Sequence, residues 1–109
     1  MHEVGITQEV IALAEEKAGG RRVTRVVLEI GKLSGVLADA VRFCFDLCAE
    51  GTGVDGAVLE IIETPGLARC RECNEYVALE RPFARCVCGC TDLEWITGEE
   101  LRIRELEIA

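Results

Sequence analysis

Apolar positions recur every three or four residues over the first part of the chain. Ile6, Val10, Leu13, Ala14 and Lys17 fall on one side of a helix drawn over residues 4–18, and Gly19-Gly20 supplies its stop. From Arg21 to Ile30 the period shortens to two. Thr24, Val26, Leu28 and Ile30 alternate with Val23, Arg25, Val27 and Glu29, which predicts a strand whose core side carries Val26, Leu28 and Ile30. Residues 31–35 read as a loop. The longer period returns at Val41, Cys44, Phe45 and Cys48, predicting a second helix over 38–50 that the 51–56 run ends. A β-branched-rich strand over 57–63 follows, closed by Thr64-Pro65-Gly66.

After Gly98 strand character resumes through Leu101, Ile103, Leu106 and Ile108. The alternation slips by one residue at Arg104-Glu105, which a β-bulge absorbs. A terminal strand this apolar needs a partner, and the nearest is the sheet of the first half. The chain therefore predicts an α+β fold: two helices packed on a small three-stranded sheet, with a four-cysteine zinc-ribbon-like module inserted between two strands. The division is residues 1–66 plus 98–109 for the α/β domain and 67–97 for the module. At 109 residues the chain suffices for one modest core plus a small metal-stapled unit.

The inserted segment holds five of the seven cysteines. Cys70 and Cys73 form one close pair, and Cys86, Cys88 and Cys90 follow after twelve intervening residues. Each group offers sulfurs from a tight turn, the spacing of a tetrahedral thiolate site with no open position for substrate. Asn74 follows Cys73 and Gly89 follows Cys88, and both tolerate the left-handed conformation that turns backbone N–H groups toward sulfur. Cys70, Cys73, Cys86 and Cys88 are accordingly the expected zinc ligands. Cys86 and Cys88 are separated by one residue rather than two, so Cys90 stays open as an alternative ligand. A rubredoxin-like iron centre would use the same donors. Cys44 and Cys48, one helical turn apart, read as core thiols.

Charge narrows the partners. The net charge is −8, with acidic residues spread along the chain, so the Lys/Arg surface that nucleic acid demands is missing. No stretch approaches the ~20 apolar residues that cross a bilayer. The start of the chain lacks the charged and apolar regions of a signal peptide. Many thiols without an export signal suit a reducing cytoplasm, where they bind metal.

The one histidine is His2, followed by Glu3. The Met1 amine, the His2 amide nitrogen and the His2 Nδ1 can close fused rings around a single ion. The Glu3 amide or carboxylate can complete a square plane, which suits Ni(II) or Cu(II). The plain alternative is a frayed terminus with a chance histidine.

Met1-His2-Glu3, the LEIGKLSGV run at 28–36, RFCFD at 42–46, the cysteine module and GEELRIRELEI at 98–108 together resemble the HypA/HybF family of nickel metallochaperones. The resemblance spans essentially the whole chain. It implies a non-enzymatic accessory protein that binds Ni²⁺ through Met1, His2 and Glu3. It also implies a structural Zn²⁺ held by four cysteines, and delivery of nickel to the [NiFe]-hydrogenase large-subunit precursor with the GTPase HypB. In some bacteria such proteins also serve urease together with its accessory proteins. The second cysteine pair departs from the family's C-P-x-C-G-S, since Arg85 stands where the first ligand would fall. Asp39 is a further oxygen ligand to consider near the nickel. The competing reading is a zinc-ribbon adaptor or regulator that binds no nickel.

Overall fold

The computed structural model describes residues 2–109. The chain runs α1 (His2–Ala18), β1 (Val23–Gly31), α2 (Ala38–Ala49), β2 (Val58–Thr64), β3 (Gly66–Cys70), β4 (Tyr76–Leu79), β5 (Leu93–Thr97) and β6 (Leu101–Ile108). Two three-stranded sheets result, ordered β2-β1-β6 and β4-β3-β5. β1 and β2 are parallel, which requires a crossover, and α2 provides it. β6 returns antiparallel to β1 after the second sheet is complete. The expected α+β fold is what forms, and the module carries its own antiparallel sheet. Pro65 alone separates β2 from β3.

Both helices lie on one side of the first sheet. Val26, Leu28 and Ile30 of the central strand are essentially inaccessible there, packed with Val10, Ile11, Ala14, Val41 and Phe45 from the helices. The slip near Arg104 is a real irregularity. Val27 pairs with Glu105 and Leu28 with Ile103, so Arg104 is the extra residue and both Ile103 and Leu106 reach the core.

Two expectations need correction. The inward side of α1 is Glu3, Thr7, Val10, Ile11, Ala14 and Ala18, while Leu13 is 41% exposed and Lys17 is exposed. The helix packs beside α2 and rests on β1 and β6, which turns Thr7, Ile11 and Ala18 inward. Thr7 tolerates burial because its hydroxyl donates to the Glu3 carbonyl at 2.6 Å. In β1, Val23 joins the core and Thr24 does not, because a second register shift between Val23 and Arg25 reverses the alternation at the strand's start.

The other side of the first sheet is polar and cross-linked by charge. Arg25 pairs with Glu60, Glu105 and Glu107 from both neighbouring strands. Glu29, 4% exposed, accepts from Arg102 at 2.6 Å and from the Thr64 hydroxyl. The two sheets meet at a joint built on close backbone approach. A Cβ on Gly31 would strike the carbonyl of Gly98 and lie 2.6 Å from the Glu100 nitrogen. Leu33 donates its N–H to Gly98 O at 2.7 Å, and its side chain fills the space beside Gly66 and Gly98.

Candidate metal centres

The β3–β4 and β5 connections bring four sulfurs together. Cys70, Cys73, Cys86 and Cys88 place their Sγ atoms within 4.8 Å of one another, the one such group among the described residues. Cys70 lies 3.7 Å from Cys88, and Cys73 lies 3.5 Å from Cys86. A tetrahedron of 2.3 Å metal–sulfur bonds has edges of about 3.8 Å, so the set fits an ion at its centre. Local turns arrange it. Asn74 and Gly89 both hold positive φ, at 62° and 94°. The Asn74 N–H closes onto Cys70 O at 2.9 Å and the Gly89 N–H onto Cys86 O at 2.8 Å. Cys90 stands apart: its sulfur accepts from the Asp92 N–H at 3.3 Å.

The thiols respond to one another electrostatically. The Cys73 N–H pointing at it, and further the Glu72 N–H, hold Cys70 down to about 6 against the desolvation of its buried site. The N–H of Glu75 favours the Cys73 thiolate, but the Cys86 thiol, burial and the sulfurs of Cys70 and Cys88 outweigh it and push Cys73 up to about 12. Cys88 is likewise raised: the Cys90 N–H opposes this, but the Cys86 thiol, burial and the Cys70 sulfur together outweigh it. The Cys70 thiolate forms readily while Cys73 and Cys88 resist; a divalent cation at the centre would remove that resistance.

The second candidate lies at the start of α1. His2 is exposed and its Nε2 sits 2.9 Å from Glu3 Oε2, whose side chain is mostly covered. A proton on Nε2 directed at the carboxylate leaves Nδ1 with its lone pair available. Glu3 Oε2 also accepts from the Leu37 N–H at 3.5 Å, tying the start of α1 to the residue that precedes α2. That contact has no local signal in the sequence. Met1 lies outside the described residues. Asp39 is not drawn into this group; it is fully exposed and paired with Arg42 at 2.6 Å. Cys44 and Cys48 are half-buried, and Cys48 packs on the core.

The profile of the family described as "Hydrogenase/urease nickel incorporation, metallochaperone, hypA" matches residues 1–108. The chain belongs to the HypA family. It is 57% identical over 108 residues to the hydrogenase maturation factor HypA of Trichormus variabilis, covering 99% of this chain and 96% of that one. The HypA of Geotalea uraniireducens is 49% identical over 109 residues, with 99% of both chains covered. Among solved structures, the Ni metallochaperone HypA from Helicobacter pylori superposes with a TM-score of 0.70 at 25% identity, over 97% of this chain and 96% of that one. The fold of two helices and two small sheets thus matches the solved HypA structures, and this chain carries a four-cysteine cluster within it.

Proposed function

We propose that this HypA protein carries Ni²⁺ for [NiFe]-hydrogenase maturation in the cytoplasm, binding it at His2 with Glu3 and Met1, and holds a structural Zn²⁺ at Cys70, Cys73, Cys86 and Cys88. The observation that carries the reading is the exposed His2 imidazole held by Glu3 at a helix start, in a chain matched by a nickel-incorporation family over residues 1–108. The first N–H groups of a helix have no acceptor within it, so a main-chain amide there can give up its proton to solvent and ligate the ion without breaking a helical hydrogen bond. An open chelate suits a cargo that must leave again, whereas four thiolates close around an ion and retain it. The division into an α/β domain of residues 1–66 plus 98–109 and a module of 67–97 belongs to the same proposal. So do HypB and the hydrogenase large-subunit precursor as partners, and urease as a second client. The Gly31–Gly66–Gly98 joint supports a mechanical link between module and nickel domain, because close backbone approach and the hydrogen bonds of Gly31 to Glu100 and Leu33 to Gly98 tie the two sheets together there.

Complementation tests delivery. In a host lacking its own HypA, the protein restores nickel-dependent hydrogenase activity at trace nickel, and His2→Ala does not, while added nickel salt rescues the variant. Full activity with His2→Ala at trace nickel contradicts the assignment and favours the zinc-ribbon adaptor.

A further inference from the structure

The solvent side of α2 carries an apolar surface the fold leaves uncovered. Phe43 is 79% exposed and Leu47 74%, and they stand one helical turn apart. The opposite side of the same helix buries Val41, Phe45 and Ala49, so Phe43 and Leu47 add nothing to the core. Beside them opens a groove of about 740 Å³ whose walls include Asp46, Glu50 and Asp55. Isolated exposed apolar residues are ordinary, but an aromatic and a leucine aligned along an acidic groove form a recognition surface.

We infer that this side of α2 docks a cationic amphipathic helix of a partner protein. Two anchors one turn apart match an apolar stripe laid along α2. The carboxylates of Asp46, Glu50 and Asp55 match Lys or Arg flanking that stripe. Arg42, the cation of this helix, is already paired with Asp39; Arg22 reaches the rim, where its guanidinium bonds the Asp55 carbonyl, so Asp46 and Glu50 carry most of the groove's acidic field. The same charges argue against a second copy of this chain, since an isologous contact would set like carboxylates against each other. This inference is independent of the nickel reading and neither supports nor weakens it.

The test uses the full chain and a labelled Leu/Lys peptide about four turns long, with leucines on one side and lysines on the other. Its scrambled isomer and a Leu/Glu counterpart serve as controls. Fluorescence anisotropy is expected to show saturable binding of the segregated peptide. Affinity should fall about tenfold or more for the scrambled isomer, and as much for the Phe43→Ser/Leu47→Ser variant with unchanged circular dichroism. The Leu/Glu peptide should not bind. Equal affinity for segregated and scrambled peptides, no loss in the variant, or no binding at all overturns the proposal. A dimer that forms with concentration and vanishes in the same variant overturns it too, assigning the surface to a second copy.

Discussion

Glu29 sits on the open side of the first sheet yet is almost completely covered, with the Thr64 hydroxyl and then the Arg102 guanidinium holding its carboxyl below the ordinary value of 4.5. A carboxylate whose folded pKa is depressed stabilises the fold above its unfolded pKa, and that contribution disappears as pH falls through the folded value. Thermal melts from pH 7 to 3 should therefore show the native protein losing stability more steeply below pH 4.5 than Glu29→Gln does; parallel curves would remove Glu29 from the acid response. The thiols carry a second residue-level prediction. Serine at Cys70, Cys73, Cys86 or Cys88 should each strip zinc during dialysis, whereas Cys90→Ser should keep a full equivalent by metal analysis, because its sulfur is bonded to Asp92 outside the cluster. Zinc lost from Cys90→Ser would move that residue into the ligand set.

At the scale of elements, α1 offers a direct check on which side faces in. Ile11→Ala should cost ~2–5 kcal/mol in urea denaturation, since Ile11 is 3% exposed. Leu13→Ala should cost under about 1 kcal/mol; the reverse order would mean the helix is rotated. The sequence alone could not choose between these two sides. Val10 and Ala14 are common to both stripes, and a buried threonine at position 7 carries no apolar signal. β1 and β6 were far more legible, because a strand's period of two makes a one-residue slip visible, as at Arg104. Val23 escaped for the same reason inverted: with only one residue beyond the irregularity, no period could be read. The Gly31–Gly98 contact was also out of reach, since close approach between residues 67 apart leaves no local trace. The cysteine turns were readable in detail, down to the positive φ of Asn74 and Gly89, because few residues tolerate that conformation.

The whole molecule is long and narrow, 53 × 25 × 16 Å, with its two sheets joined through the glycine-lined contact. Its two candidate metal sites have opposite characters. The cysteine cluster lies within the small β3–β5 sheet and can close around an ion, and a zinc there would supply on the order of 10 kcal/mol toward folding that sheet. The His2–Glu3 pair lies open at the start of α1, tied to α2 through Leu37. Retention at one site and release at the other is what a carrier of metal needs. The most direct test of that account is calorimetric titration of Ni²⁺ into zinc-loaded protein starting at Met1, beside His2→Ala and a form lengthened by two residues ahead of Met1. The account predicts saturable binding that His2→Ala abolishes and the extension weakens. Identical binding in all three, or none in any, would contradict it.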